Sequence, residues 1–552
     1  MNLIKDVWLP VVRASGKDDT IAPWQIAEKD DPVVEINAPR PDFQGALYQF
    51  LIGLLQTCFA PEDHDDWLEY WEEMPNADEL KSVFEKVAPA FELDIADGPA
   101  FMQDFEDFEG EKLPVEDIMG GALSDNTRAN NTDLFVKRDH IKTVSPYWAA
   151  VALFNMQVTG VLAWGKHRVG LRRNGPLTTL VMPNKAENKL WNKLWLNVLT
   201  LEDFSSVPGD KKKTAIEFTF PWMSKTRTSP NKEITAPEHG HPLQHYWPMP
   251  RRIRLYIELV DGSCDISGVT LKNGVRKYKR INKGVFYGNG WKNPFSPYTR
   301  RTKEEFPLTV TGSQVSFDYK DWASITLDGD LDDSECSRAK VVSVFQGDRS
   351  HDIDDPGRLW CFGYDAVNAN VRNWHEKYFP IICLDEKSSL NLRNWTGEMI
   401  QVAKSYALIL KHSLVRAWFS PQVDGRGKES WAHIINKKGE TKSSHLSTLR
   451  FVDQNYWGDT ESQFYKLLQR LTDIADSRDR PLAIYKEWID YIRTYSIRSF
   501  ENQAFSSMSE TKEIKQAVLA KKYLLQEIWP KKGFLADMNS LIKSIGLEVE
   551  LS

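Results

Sequence analysis

The chain has 552 residues, enough for two or three domains that each bury their own core. Its hydrophobic fraction of 41%, its charged fraction of 27% and its net charge of -7 are those of an ordinary globular protein. It contains no run of about 18 apolar residues, which excludes a transmembrane helix. Its first residues lack the basic and then apolar pattern of a secretory signal, so we expect a cytoplasmic protein.

The N-terminal part predicts a short strand followed by helices. Residues 3–12 have the composition of a strand. A helix is predicted from about Asp42 to the residues before Pro61, because its apolar residues recur at a spacing of three to four. A second helix is predicted over 79–87. Residues 120–146 are rich in Asn, Asp, Thr and Arg and predict a long loop, which is usually functional or disordered.

Residues 147–380 mix β-branched and aromatic residues with frequent Gly and Pro breaks. Within them, the segments Arg252–Val260 and Lys340–Phe345 predict strands. This part of the chain is therefore predicted to mix helices and strands.

After Pro380 the pattern changes to long amphipathic helices. The predicted helices span 395–418, 461–475, 482–500 and 512–529. We therefore predict an α+β fold, with a large mixed N-terminal domain over 1–384 and a C-terminal four-helix bundle over 385–552.

The net negative charge hides a strong segregation of charge along the chain. Residues 62–117 hold 20 Asp and Glu against three Lys, whereas residues 128–173 hold eight Lys and Arg against two Asp. Residues 272–303 carry ten Lys and Arg and no carboxylate. Binding to phosphates depends on such local patches and not on the sum over the chain. Two basic runs rich in Gly and aromatics favour contact with a polyanion over merely solvated faces.

The second basic run interleaves its cations with Phe286, Tyr287 and Trp291. One interpretation is backbone neutralisation combined with stacking on a nucleic acid. The other is a β-hairpin whose aromatic residues belong to the core and whose lysines are only solvated. Both stay open at the level of the sequence.

A glycine-rich segment in the first basic run, Gly160-x4-Gly165-Lys166, resembles a phosphate-binding loop. His167 occupies the place where that motif needs Ser or Thr to hold Mg²⁺, which disfavours nucleotide hydrolysis. The flanking cations are Lys166, Arg168, Arg172 and Arg173. They fit better with a backbone that approaches a phosphate or a groove closely.

Candidate metal ligands are few and poorly arranged. His239, His241 and His245 lie among prolines with no cysteine nearby, which favours loop histidines over a zinc site. The five cysteines are widely separated, which argues against a disulfide framework and a thiolate zinc site. The acidic clusters at 328–333 and 351–355 have the composition of surface turns. We expect no metal, no cofactor and no catalytic residue.

An ordered set of motifs resembles the CasA family, the large subunit of type I-E CRISPR Cascade complexes. In chain order the motifs are Met1-Asn2-Leu3-Ile4, Trp8-Leu9-Pro10, Phe101-Met102-Gln103, Ala152-Leu153-Phe154-Asn155, the run from Gly170 to Val181, Leu196-Asn197-Val198-Leu199-Thr200, Trp291-x2-Pro294-x-Ser296-Pro297 and Gly363-Tyr364-Asp365-x2-Asn368-Ala369. They cover roughly the first 380 residues, and the helical tail agrees with the family's C-terminal bundle.

This resemblance implies a non-catalytic subunit of an RNA-guided complex. Such a subunit recognises the protospacer-adjacent motif (PAM) in duplex DNA through the minor groove, helps to open the duplex for R-loop formation and supports recruitment of a helicase-nuclease. The implied partners are the crRNA-bearing subunits (handle-binding, backbone and small subunits), the target duplex with its displaced strand, and the Cas helicase-nuclease. No membrane and no cofactor are implied.

The resemblance also implies roles for residues at matching positions. Phe135, Val136, Lys137 and Arg138 resemble a loop that docks on the 5′ handle of the crRNA and approaches the PAM. Trp164, Gly165 and Lys166 are similar to a loop placed against the PAM minor groove. Lys283, or alternatively Lys279, resembles a lysine that reaches into that groove. Val367, Asn368 and Ala369 fall at a groove-reading, strand-separating hairpin, where some relatives carry Gln in place of Asn368.

Two other functions remain as alternatives. The first is a metal-dependent nuclease that uses Asp328, Asp330, Asp332 and Asp333. The second is a generic scaffold protein whose basic runs bind other proteins.

Overall fold

The computed structural model describes residues 1–94, 98–120, 135–161, 170–185, 188–301, 304–315, 317–331, 334–367, 370–439, 446–505, 511–529 and 538–547. The chain divides into two compact units. The first comprises Met1–Phe317 and Ser324–Cys383, and the second comprises Asp318–Ala323 and Leu384–Ser552. The mixture of helices and sheets confirms the predicted fold class. Among the residues that the structure describes, no helix has both the length and the apolar composition needed to cross a membrane.

Up to residue 383 short helices alternate with antiparallel strands. The helices are α1 Pro41–Cys58, α2 His64–Glu72, α3 Ala77–Glu85, α4 Pro146–Thr159, α5 Leu190–Trp195, α6 Leu201–Phe204, α7 Ile216–Thr219, α8 Trp322–Thr326 and α9 Lys340–Gly347. The strands are β1 Leu9–Arg13, β2 Asp18–Ile21, β3 Val33–Ile36, β4 Leu113–Pro114, β5 Thr178–Met182, β6 Arg252–Ser263, β7 Thr270–Ile281, β8 Tyr298–Arg301, β9 Leu308–Thr309, β10 Gly329–Leu331, β11 Ser334–Ser337, β12 Arg358–Val367 and β13 Asn370–Pro380. They pair in the orders β2-β1-β3, β4-β7-β6, β13-β12-β5 and β10-β11-β8-β9.

Helix α1 lies at the centre of the first unit and confirms the helix predicted from Asp42. It begins with Pro41, whose fixed φ suits the first helical position, and nearly all of its side chains are buried. Phe50 on this helix meets five aromatic rings edge-on, with centroid distances of 5.7–6.1 Å. The five rings belong to Trp8, Phe91, Phe101, Phe154 and Trp247. Helix α1 therefore ties together segments that are distant in the sequence.

The predicted strand Lys340–Phe345 is wrong, because these residues form helix α9. Its β-branched residues favour a strand by propensity. Val341, Val342, Val344 and Phe345 are all buried, however, and their spacing of one, three and four residues places them on one face of a helix. Packing against the core overrides the local propensity here. By contrast, the strand predicted at Arg252–Val260 is confirmed as part of β6.

The second unit is predominantly helical, as predicted. Its helices are α10 Glu386–Trp418, α11 Leu446–Thr472, α12 Leu482–Phe505, α13 Thr511–Ile528 and α14 Met538–Ser544, and its short hairpin pairs β14 Gln422–Val423 with β15 Glu429–Ser430. Helix α10 contacts α11, α12 and α13. It begins nine residues earlier than the apolar pattern predicts. Its start is fixed by Asp385, whose side chain accepts a hydrogen bond from the backbone N–H of Ser388 at 3.0 Å.

Replacing Phe50 by alanine should lower the free energy of unfolding by about 3–5 kcal/mol, because the side chain is buried against five aromatic rings and its removal leaves a cavity. Chemical denaturation followed by tryptophan fluorescence measures the change. Leu259→Ala is the control, since Leu259 is 84% exposed and its removal should change stability by less than about 0.5 kcal/mol. Equal effects of the two substitutions would show that Phe50 is not a core residue.

Candidate nucleic-acid interface

The ends of the glycine-rich loop meet at a narrow base. Trp164, Gly165 and Lys166 lie outside the described residues, but the segments on both sides of the loop are described. Gly160 ends α4 with a φ of +61°, and a Cβ there would lie 2.5 Å from the carbonyl oxygen of Arg173. Only glycine fits this position. The chain therefore leaves and re-enters the core at nearly the same point.

Two buried arginines hold this base. The Arg251 Nη2 donates to the carbonyl oxygen of Gly160 at 2.8 Å. The Arg172 Nε donates to Ser296 Oγ at 2.9 Å, and its Nη1 donates to Gln49 Oε1 at 2.7 Å. Burial lowers the pKa of each guanidinium to about 10, so both stay charged at neutral pH.

Arg172 is one of the cations that flank the glycine loop in the sequence. Its guanidinium points into the core and is satisfied by protein groups, so this side chain is not available to a phosphate. The positive charge of this arginine contributes to the architecture of the base and not to an exposed patch.

Lys283 lies directly after β7 and is exposed to solvent. Its φ of +65° is uncommon for a residue other than glycine. The next residue, Gly284, approaches the chain so closely that a Cβ would lie 2.3 Å from the carbonyl oxygen of Pro250. The residues that follow belong to a small buried cluster made of Leu171, Val285, Tyr287 and Trp291. Leu171 comes from the returning end of the glycine loop, so Lys283 and that loop rest on one core.

Two of the three aromatic residues named in the second basic run, Tyr287 and Trp291, are packing residues. Tyr287 and Trp291 are each 3% exposed, so they cannot stack on bases as they lie in this structure. Lys279, the alternative groove lysine, has its Nζ 3.4 Å from the carbonyl oxygen of Phe108 and 5.6 Å from the ring centroid of Tyr256. A hydrogen bond with Tyr256 raises the pKa of Lys279. Lys279 is thus engaged within the fold, whereas Lys283 is exposed.

The predicted strand-separating hairpin is formed by β12 and β13, in which Val367 pairs with Asn370. Asn368 and Ala369 lie outside the described residues. Tyr364, three residues before Val367, holds β12 through a buried polar network, and this anchored part of the strand is the base from which the hairpin turn extends. Its hydroxyl donates to Asp42 Oδ2 at 2.7 Å and accepts from Asn155 Nδ2 at 2.6 Å.

The segment that begins at Phe135 contacts the same hairpin base. The Phe135 ring lies 5.7 Å from the Tyr364 ring in an edge-on arrangement. The Arg40 guanidinium lies 5.3 Å from the Phe135 ring and is itself paired with Asp42 at 2.7 Å. Within the same segment Val136 is buried, Arg138 is half-buried and Lys137 is exposed. The structure therefore brings the predicted handle-docking segment and the predicted hairpin together.

Four of the candidate metal ligands, namely Asp328, His239, His241 and His245, have other partners. Asp328 pairs with Arg338 at 3.3 Å, while Asp332 and Asp333 lie outside the described residues and Asp330 lies in β10. His239 and His241 accept from the backbone N–H groups of residues 236 and 243, and His245 lies beside the carbonyl oxygen of Pro208. Over the described part of the chain, no group of three or more His, Cys, Asp or Glu is arranged to hold a metal ion.

Sequence patterns did not single out the residues that assemble this interface. Arg251, Asp42 and Tyr364 act through partners that lie 91–322 positions away in the chain. Tyr364 and Arg172 lie inside motifs of the family resemblance, which is the signal that could have drawn attention to them. Arg251 carries no such signal.

Residues 2–499 match the family model of CRISPR-associated protein Cse1. Among solved structures, Cse1 from Acidimicrobium ferrooxidans has a TM-score of 0.64 at 15% identity, covering 96% of this chain and 98% of that chain. CasA (Cse1) from Thermus thermophilus has a TM-score of 0.63 at 16% identity, covering 96% and 99%. A chain of a CRISPR RNA-guided surveillance complex has a TM-score of 0.59 at 11% identity, covering 95% and 99%. At these identities the structural likeness shows the fold. No curated protein matches the sequence.

The core under Lys283 should make stability depend on pH through His245. This ring packs edge-on against Trp291 at 5.0 Å, and burial lowers its pKa to about 3 from an ordinary value of 6.5. Below about pH 6.5 the His245 ring binds a proton in the unfolded chain but stays neutral in the folded chain. The free energy of unfolding therefore falls as the pH drops from 6.5 towards 3. Denaturation at pH 7.5 and pH 5 should show a larger loss for the wild type than for His245→Gln. Equal losses would contradict a neutral buried His245.

Proposed function

We infer that this chain, which belongs to the family of CRISPR-associated protein Cse1, is the large subunit of a type I-E Cascade surveillance complex. The family match over residues 2–499 supports the inference, and it agrees with the resemblance to CasA found in the motifs. The observation that carries the functional part is the convergence of separate segments on shared supports. Leu171 and Val285 lie in one buried cluster, and Phe135 contacts Tyr364 at the base of the hairpin.

In this proposal, short flanking DNA is recognised through the minor groove. Trp164, Gly165 and Lys166 lie against the groove, and Lys283 reaches into it. Exposure favours Lys283 over Lys279, whose amine is engaged within the fold. The minor groove presents a degenerate pattern of donors and acceptors, which suits a short and permissive PAM. Contacts to backbone and groove of this kind position the protein before any base pairing with the guide.

The hairpin residues Val367, Asn368 and Ala369 then enter the duplex and help to open it. Inserting side chains at a base step costs a few kcal/mol of unstacking, which contacts to the opened DNA offset. The network around Tyr364 supports this role, because a wedge has to be held rigidly at its base. Pairing between guide RNA and target strand supplies the remaining sequence information.

The same proposal assigns partners. Phe135, Val136, Lys137 and Arg138 dock on the 5′ handle of the crRNA held by the handle-binding subunit, with backbone and small subunits beside it. The complex recruits a helicase-nuclease for cleavage, and this subunit performs no chemistry of its own. One structure of matching fold is described as a CRISPR RNA-guided surveillance complex, which supports this assignment. The assembly is expected to act in the cytoplasm.

Co-purification is the direct test of this proposal. The tagged full-length chain, expressed with its CRISPR array and neighbouring genes, should bring down a complex that contains a crRNA. Purified protein should leave DNA intact in Mg²⁺ or Mn²⁺. Cleavage that is abolished by Asp328→Ala would establish the nuclease alternative instead. Duplex binding that ignores the flanking sequence would favour the scaffold alternative.

Lys283→Asn and Asn368→Ala should each weaken binding of the assembled complex to a PAM-bearing duplex by roughly tenfold, as expected for a lost groove contact. Asparagine is chosen at Lys283 because it tolerates a positive φ. Binding to a target with a pre-opened bubble should change less for Asn368→Ala, because a bubble needs no strand separation. Electrophoretic mobility shifts with both targets measure the difference.

Lys272→Ala is the matched control for Lys283, because Lys272 is an exposed lysine in β7, the strand that precedes Lys283. It should leave PAM-dependent binding nearly unchanged. If the Asn368 variant loses affinity for the bubble as strongly as for the intact duplex, the wedge assignment is wrong.

A further inference from the structure

A loop that precedes β6 is fastened to the segment around Lys283. This loop, residues 226–235, is held at its start by Thr226, whose Oγ1 donates to the buried Asp104 Oδ2 at 3.1 Å. In its middle, the backbone N–H of Ser229 donates to the carbonyl oxygen of Lys283 at 3.0 Å, and its Oγ donates to that of Gly284 at 2.7 Å. These contacts fix the loop beside Lys283.

The end of the loop is fixed as firmly as its start. The backbone N–H of Thr235 donates to the carbonyl oxygen of Phe286 at 2.7 Å, and the Trp291 Nε1 donates to that of Thr235 at 2.9 Å. Trp291 belongs to the same buried cluster that supports Lys283. These hydrogen bonds therefore join the 226–235 loop and the Lys283 segment into one continuous surface.

This shared surface displays three exposed cations, namely Arg227, Lys232 and Lys283. Arg227 is two residues from Ser229, which places their Cα atoms within about 8 Å of each other. Lys232 turns back towards the same point, because its backbone N–H donates to the carbonyl oxygen of Ser229 at 3.2 Å. All three cations are thus anchored around one contact between two loops.

Two of these cations occupy an unusual backbone conformation. Lys232 has a φ of +66° and Lys283 a φ of +65°. Residues with a Cβ reach this region at a cost of roughly 1–2 kcal/mol, and they do so where the surroundings over-determine the backbone. Gly or Asn would satisfy both positions more cheaply. The lysine side chains therefore serve a purpose other than the turn geometry.

In the part of the chain that the structure describes, Arg227, Lys232 and Lys283 form no ion pair with a carboxylate. The neighbouring Glu233 carboxylate instead accepts hydrogen bonds from the backbone N–H and side-chain amide of Asn231, at 3.0 Å each. Exposed cations that have anchored backbones and form no ion pair attract a polyanion.

We propose that Arg227 and Lys232 form, beside Lys283, a binding site for the phosphodiester backbone of the target duplex. This proposal rests on the proposed function, in which Lys283 enters the minor groove. Phosphates line both rims of that groove, so cations fixed next to a groove-entering lysine face the backbone and not base edges. The site contributes affinity and register without reading sequence.

The experiment uses the assembled complex that carries Arg227→Gln together with Lys232→Asn. Asparagine keeps the left-handed backbone at position 232, so the variant removes charge with little strain. Binding to PAM-bearing and PAM-free duplexes is measured by fluorescence anisotropy over a range of salt concentrations. The slope of log affinity against log salt should become shallower by roughly 0.9 for each lost phosphate contact, hence by about 1.8. The fractional loss of affinity should be the same for both duplexes.

Lys211→Gln together with Lys212→Asn is the control, because it removes the same charge from two exposed lysines elsewhere in the first unit. It should leave the salt slope unchanged. An unchanged slope in the Arg227 and Lys232 variant, or an equal change in the control, would overturn the phosphate site while leaving the proposed function intact. An unmodified complex that binds no target duplex would overturn both.

Discussion

Buried guanidinium groups need hydrogen-bond partners inside the fold, and this requirement at Arg172 and Arg251 determines how the candidate interface is built. Arg172 joins Gln49 of the central helix to Ser296, and Arg251 reaches the last carbonyl of α4 at Gly160. Removing one hydrogen-bond partner of such a group leaves a charged donor unsatisfied in the core, at a cost of about 1.5–3 kcal/mol. The base of the glycine loop is therefore among the parts of the fold that are least free to move.

The β12–β13 hairpin is also held by a buried polar group, the uncharged hydroxyl of Tyr364. The Tyr364 hydroxyl satisfies Asp42 at the start of α1 and Asn155 in α4 at once, so it couples β12 to the two helices that carry the core. Phe135 covers this network from outside, with its ring against Tyr364. Elements that the family resemblance connects with DNA and RNA thus share buried polar anchors. Such anchors fix the positions of the residues at which the candidate recognition segments leave the core.

Local patterns in the sequence predicted the parts of the fold that local patterns determine. The helix from Asp42 and the strand from Arg252 follow from apolar periodicity and composition, and both were correct. Lys340–Phe345 was misjudged because its residues prefer strands in isolation but bury one helical face. The arginine and tyrosine anchors depend on partners more than 90 positions away, which no local spacing encodes. The candidate groove-contacting residues came from the family resemblance and all stay predictions, and Gly165 and Asn368 also lie outside the described residues.

The distribution of charge shows how a chain with a net charge of -7 can still suit duplex DNA. The acidic stretch neutralises two arginines of β6, because Asp104 pairs with Arg252 and Asp107 lies 3.6 Å from Arg254. Within the second basic run, Lys279 is engaged within the fold, whereas Lys283 faces solvent. A small number of phosphate contacts gives weak binding to arbitrary DNA, since sequence-independent affinity grows with the number of counterions released. In the proposed function, weak non-specific binding suits a subunit that examines many duplexes and leaves the final choice to base pairing with a guide.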